Sequence, residues 1–145
     1  MFVDWPTVPF TFAMSASQGQ ARDAVALQLA TALEKYDAAT GAMVAGWPNL
    51  ERYQEVSAQV ETIRMYCNGL PELRVQWVEL LIAHSELVHF LWRVQYGDQE
   101  AARAEIGGVR EHHSDCVAAL RKRCLRYLAR QLGPRGLPPA TEIAR

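Results

Sequence analysis

Two long helical patterns, joined at Tyr96-Gly97-Asp98, constrain this chain more than any other feature of its sequence. In each pattern a residue recurs at alternating steps of three and four, the spacing that lines up side chains on one face of an α-helix. The first face comprises Leu73, Trp77, Leu80, His84, Leu87, Leu91 and Val94; the second comprises Ala102, Ile106, Val109, His113, Cys116 and Leu120. Because the turn between the two patterns is short, we expect two antiparallel helices that interlock along these faces.

Earlier parts of the chain carry similar patterns, separated by helix-stop signals at Gly46-Trp47-Pro48-Asn49 and Asn68-Gly69. Glycine suits the end of a helix, and asparagine or a first-turn proline suits the start of the next one. The predicted helices span residues 17–46, 49–68, 71–96 and 98–131. Short connections between them predict an all-α fold, an up-down-up-down four-helix bundle that forms one domain over residues 1–145.

An apolar arm at residues 1–16 and a tail at residues 133–145 flank the predicted bundle. Pro6 and Pro9 interrupt the arm, so we expect it to be extended rather than helical. Its aromatic side chains include Trp5, Phe10 and Phe12, which favour burial against something. The arm is expected either to lie across its own bundle or to dock on a partner, such as a second copy of the chain.

Composition indicates a soluble, cytoplasmic protein. Half of the residues are apolar, the formal net charge is -1, and the three cysteines form no paired CxxC spacing. A secreted disulfide scaffold and a zinc finger are therefore not expected. No stretch approaches the roughly 18 uncharged apolar residues of a membrane span. The near-neutral charge also argues against nucleic acid as the main partner.

The two histidines on the interlocking faces are the clearest candidates for a functional site. If the hairpin is centred near Gly97, His84 and His113 differ in axial level by about three residues, or roughly 4.5 Å. Cys116 follows His113 by one turn and projects from the same face. Two imidazoles and a thiolate suit a divalent transition metal such as zinc, so His84, His113 and Cys116 form a candidate metal site.

Two other interpretations of these histidines remain open. A histidine on a buried face can be satisfied by a hydrogen bond to a tyrosine, a carboxylate or the other histidine, and a buried cysteine behaves as a small apolar residue. A small organic ligand or haem is the other alternative. Tyr36 or Asp37 of the first helix is expected near the same level of the bundle.

The turn sequence Gly97-Asp98-x-x-Ala101-Ala102-Arg103, followed by His112 and His113, resembles the last helical hairpin of the ligand-binding domains of GntR-type transcription regulators. Those domains are helical bundles that hold a metal among histidines and an aspartate, so the resemblance implies a bundle with a metal site. It covers only this hairpin, its histidines lie several residues later than the family pattern places them, and no winged-helix part accompanies it. No regulator function is therefore carried over.

A basic face on the last helix is the remaining candidate for binding. Residues 110–145 carry 8 Lys/Arg and 3 Asp/Glu, whereas residues 1–109 carry 7 and 13. Lys122, Arg126 and Arg130 recur every four residues and share one helix face. No catalytic residues are identified, so we expect a non-enzymatic, self-associating interaction or regulatory module, or alternatively a metal- or ligand-binding sensor. Its candidate partner-binding residues are Trp5, Phe10, Phe12, Lys122, Arg126 and Arg130.

Overall fold

The computed structural model describes residues 7–97 and 99–136, with side chains for residues 19–97 and 99–131. Four α-helices account for nearly all of them: α1 (Thr7–Ala45), α2 (Leu50–Asn68), α3 (Arg74–Tyr96) and α4 (Gln99–Gly136). One short 3-10 helix, Pro71–Leu73, precedes α3, and the described residues contain no strand. The predicted all-α fold is confirmed. Over the same residues, no helix has an apolar run sufficient to cross a bilayer.

Helix α1 begins at Thr7 rather than at Ser17, so the prediction of an extended arm is wrong for residues 7–16. Pro9 lies in the first turn of α1, where a helix tolerates proline because the first amide groups have no partner within the helix. Pro9 therefore stands at a position that a helix permits and does not make residues 7–16 extended. Residues 1–6, including Trp5, lie outside the described residues.

Helix α4 also continues past its predicted end at residue 131, to Gly136. The first part of the predicted tail is therefore helical, and residues 137–145 lie outside the described residues. Pro134 falls in the final turn. There the missing N–H of a proline removes one hydrogen bond close to the end of the helix.

The connections are as short as predicted, and consecutive helices run antiparallel. The Asn49 side chain accepts a hydrogen bond from the Arg52 N–H at 3.1 Å, which caps the start of α2. Gly97 donates its N–H to the Arg93 carbonyl at 2.8 Å and ends α3. A side chain at Gly97 would place its Cβ 3.1 Å from that carbonyl oxygen, so the turn favours glycine.

The core lies along the faces that the residue spacing predicts. Helix α1 packs against α2 and α4, and α3 packs against α4, whereas the consecutive helices α2 and α3 make few close contacts. Fully buried side chains include Leu29, Leu33, Tyr36, Met43, Ile63, Leu80, Leu87 and Leu120. The packing brings α1, α3 and α4 together around a polar cluster, and among the described residues the buried polar side chains are Thr40 and His113.

Candidate functional site

His84 of α3 and His113 of α4 meet in the bundle interior, as their positions on the two helical faces predict. Their ring centroids are 6.4 Å apart, and His113 has no exposed surface. Tyr36 of α1 reaches between them and is also fully buried. Its hydroxyl lies 2.8 Å from His84 Nδ1 and 2.7 Å from His113 Nε2. Three helices therefore contribute one side chain each to a single hydrogen-bonded cluster, in which Tyr36 and His113 are fully buried and His84 is partly buried.

The direction of each hydrogen bond in this cluster follows from Arg110. Its Nη1 lies 3.2 Å from His113 Nδ1, and a guanidinium can only donate. His113 Nδ1 must therefore accept, and its proton lies on Nε2, from which it is donated to the Tyr36 oxygen. The single Tyr36 proton is then donated to His84 Nδ1. The order from Arg110 through His113 and Tyr36 to His84 is thus fixed with both imidazoles neutral.

Arg110 connects this buried cluster to the protein surface. The same guanidinium donates to the Ser114 hydroxyl and forms an ion pair with Asp37, with Nη2 3.4 Å from Oδ1. The Arg110 side chain is 24% exposed and that of Asp37 is 46% exposed. The cluster therefore ends at a charged pair that water reaches.

Burial shifts the pKa values of all three core groups towards their neutral forms. Burial, assisted by the positive charge of Arg110, lowers the pKa of His113 to about 3. Burial likewise lowers the pKa of His84 and raises the pKa of Tyr36. At neutral pH the cluster is an uncharged hydrogen-bonded unit. This geometry matches the interpretation in which a tyrosine satisfies both histidines.

Cys116 does not join His84 and His113. Its thiol is nearly buried, lies 3.8 Å from His112 Nε2 on the same helix, and has its pKa raised by burial. Within the described part of the chain, no group of three or more His, Cys, Asp and Glu side chains is arranged to hold a metal ion. The predicted ligand set of His84, His113 and Cys116 is therefore not assembled: the Tyr36 hydroxyl lies between the two histidines, and the Cys116 thiol contacts His112 instead.

The candidate partner-binding residues are distributed over two regions. Phe10 and Phe12 lie on the first turns of α1, where the structure describes the backbone alone, and Trp5 lies outside the described residues. Lys122, Arg126 and Arg130 are exposed on α4, as predicted. Lys122 and Arg126 border a groove between α1 and α4, whereas Arg130 borders a small cleft beside Glu72 and Leu73.

The groove between α1 and α4 has a volume of about 830 Å³ and an apolar floor. Leu33 and Val117 form that floor, and Leu125, which is 42% exposed, lies in the groove further along α4. Ion pairs from Arg121 to Glu34 and from Arg110 to Asp37 bridge the two helices along its length. The residue spacing predicted the basic face of α4 but not this groove.

A second exposed surface follows the outer face of α3. Val78 is 45% exposed and Ile82 is 54% exposed near one end, while Trp92 is 39% and Tyr96 is 75% exposed near the other. Trp92 also contacts Trp47 edge-on, with ring centroids 5.0 Å apart, and stacks on Tyr96 at 5.4 Å. The sequence contained this signal, because Val78, Ile82, Ser85, His89, Trp92 and Tyr96 recur at steps of four and three.

Comparisons with known proteins supply no relative for this chain: no protein-family model, no curated protein and no solved structure matches it.

Proposed function

We propose that this protein is a non-enzymatic interaction module that self-associates through the outer face of α3. The observation that supports the proposal is the exposed row of apolar and aromatic residues on a helix whose opposite face already fills the core. A helix that buries one apolar face normally exposes a polar one, so a second apolar row is typical of a binding surface.

The occupant that best fits this row is α3 of a second copy, in antiparallel orientation. Apolar residues lie in the first half of the row and aromatic residues in the second half. An antiparallel partner overlapped along its full length would bring Val78 opposite Tyr96 and Ile82 opposite Trp92. The small, polar pair Ser85 and His89 would meet in the middle. Such a contact is closed and symmetric, the commonest arrangement of homodimers.

Charges beside the row support the same orientation. Glu79 and Arg93 flank one side of the face and are separated by four helical turns. In an antiparallel pair, residues on one side of a helix meet the same side of its partner, so Glu79 would face Arg93 twice by symmetry. The same register places the Glu86 carboxylates of the two copies opposite each other, and their repulsion would weaken the dimer.

Sedimentation equilibrium tests self-association. The unmodified protein is expected to be dimeric at micromolar concentration, and Ile82→Glu should weaken the dimer roughly tenfold or more, because it buries an unpaired charge. Leu27→Glu on α1, at a residue that is 60% exposed, is the matched control and should leave the dimer intact. A monomeric wild-type protein, or equal effects of both substitutions, would contradict the proposal.

A charge exchange tests the orientation. Glu79→Arg and Arg93→Glu should each weaken the dimer because like charges then meet, and the double variant should restore it. Glu86→Gln should strengthen the dimer by removing the opposed carboxylates. If the double variant stays as weak as the single variants, the antiparallel arrangement is excluded.

Binding of a metal or small ligand at the His84–Tyr36–His113 cluster is a second candidate function. The convergence of two imidazole nitrogens on one buried oxygen supports it. A divalent ion such as zinc would have to compete with the Tyr36 hydrogen bonds for those nitrogens. Zinc or nickel should raise the melting temperature, and His84→Ala should abolish that rise. The absence of any shift with divalent ions would remove this function.

A further inference from the structure

The groove between α1 and α4 is independent of the proposed self-association surface on α3. We infer that it is a docking site for an acidic amphipathic helix of a different protein. On the α4 side, Ser114, Ala118, Leu125 and Ala129 recur at steps of four and seven along the groove. These residues span about 22 Å at 1.5 Å per residue, which matches a partner helix of about 15 residues.

Small side chains suit the groove to a helix. Ala38 on α1 and Ala118 and Ala129 on α4 line it, and small residues at a contact allow helix axes to approach within about 8 to 10 Å. Leu33 and Val117 beneath them offer apolar contact, and the partly exposed Leu125 would become buried under the incoming helix. Recognition of this kind uses apolar anchors of the partner one turn apart.

The charges along the groove select an acidic partner. Glu34 and Asp37, the carboxylates in the groove, are already paired with Arg121 and Arg110. Lys122 and Arg126 are exposed on the rim and form no ion pair with any residue whose side chain the structure describes. The uncompensated charge is therefore positive, and Asp or Glu beside the apolar anchors of a bound helix would face it.

A protein helix fits the groove better than nucleic acid does. A phosphate backbone binds through many cations and would meet the carboxylates of Glu34 and Asp37 together with an apolar floor. An amphipathic helix instead uses the floor and the rim at once. The groove differs in this from the α3 row, where the charges beside the row, Glu79 and Arg93, are of both signs.

A designed peptide tests the inference. The probe is a fluorescein-labelled helical peptide of about 15 residues, with leucines along one face and glutamates beside them, titrated with the full-length protein while anisotropy is measured. We expect saturable binding that weakens as salt is raised. Lys122→Glu with Arg126→Glu should reduce the affinity roughly tenfold, as expected when two exposed charge contacts are reversed.

Reversal of the peptide charges sharpens the test. A peptide with lysines in place of the glutamates should bind the Lys122→Glu, Arg126→Glu protein better than the unmodified one. Arg103→Glu, at an exposed residue near the start of α4, is the matched control and should bind the acidic peptide normally. Leu125→Glu should abolish binding without changing the sedimentation of the protein, which separates failure here from failure of self-association.

Three results would overturn the inference. The first would be an acidic peptide that shows no saturable binding. The second would be peptide binding that is unaffected by Lys122→Glu with Arg126→Glu. The third would be a single-stranded oligonucleotide that binds more tightly than the peptide and loses its affinity in that variant. The last result would assign the basic rim to nucleic acid instead.

Discussion

Tyr36 stabilises the core because its one hydroxyl forms hydrogen bonds with two histidines. A buried imidazole without a partner loses hydrogen bonds to water and gains none in return. Here His84 accepts the Tyr36 proton and His113 donates to the Tyr36 oxygen. One hydroxyl thus supplies a hydrogen-bond partner to both a fully buried and a partly buried imidazole.

Tyr36→Phe should therefore destabilise the protein much more than loss of an ordinary hydroxyl. It leaves the buried Nε2 of His113 unpaired, at about 1 to 3 kcal/mol, and the partly buried Nδ1 of His84 unpaired at a smaller cost. Urea denaturation followed by circular dichroism measures the loss in free energy of unfolding. Tyr66→Phe is the control: Tyr66 is partly buried on α2 and its hydroxyl makes no hydrogen bond within the described residues, so its removal should cost little. Equal stabilities of the two variants would contradict this account of Tyr36.

At the scale of single elements, α4 is unusual because Gly107 and Gly108 lie inside a continuous helix. Both are exposed, and a Cβ built on either would meet no atom within 4 Å. Glycine in a helix interior is less favourable than alanine because the unfolded chain is then more flexible. These two residues weaken α4 without serving any contact in the described structure.

Gly107→Ala and Gly108→Ala should each raise the free energy of unfolding by roughly 0.5 to 1 kcal/mol. Thermal denaturation measures the gain as a higher melting temperature. Gly97→Ala should have the opposite sign, since its Cβ would approach the Arg93 carbonyl oxygen at 3.1 Å. A loss of stability with alanine at residues 107 and 108 would indicate that α4 needs flexibility there.

For the whole molecule, the cluster predicts how stability depends on pH. The pKa values of His113 and His84 are lowered in the folded state relative to an ordinary value of 6.5, so the unfolded chain binds more protons. The stabilisation is complete above pH 6.5 and declines as the pH falls towards about 3. Each histidine can contribute a slope of up to about 1.4 kcal/mol per pH unit.

Urea titrations between pH 7.5 and pH 4.5 test this dependence. Glu72, whose pKa is lowered by its own backbone and by Arg22, contributes only below its ordinary value of 4.5, so the histidines are measured separately. His113→Gln should flatten the slope, because the strongest of the two contributions is removed. An unchanged slope would mean that other groups control acid unfolding.

Much of the fold was predictable because a helical face is a local property of the sequence. The spacing of residues 73–120 predicted the hairpin of α3 and α4, and the same spacing predicted that His84 and His113 would meet. Helix ends were less predictable: Pro9 is tolerated because it stands in the first turn of α1, and α4 continues past Pro134 to Gly136. The sequence around a proline does not show whether the proline lies in the first turn of a helix, because the packing of the whole helix sets where the helix begins.

The site was predictable only in part, because its chemistry depends on three helices at once. Spacing placed Tyr36 near the histidines but could not reveal that its hydroxyl lies between them. Arg110 fixes the direction of the hydrogen bonds, yet its residue type and position resemble those of any exposed arginine. The α1–α4 groove was missed for the same reason, since its walls come from residues that are far apart in the chain.

The one-way proton order has a further consequence for the uniformity of the interior. With Arg110 donating to His113, each imidazole has one allowed tautomer, so every molecule holds the same arrangement of protons. Without that donor, the reverse order, running from His84 to His113, would be equally complete. The partly exposed Arg110 side chain therefore determines whether all molecules share one hydrogen-bond direction in the core or are divided between two opposite directions.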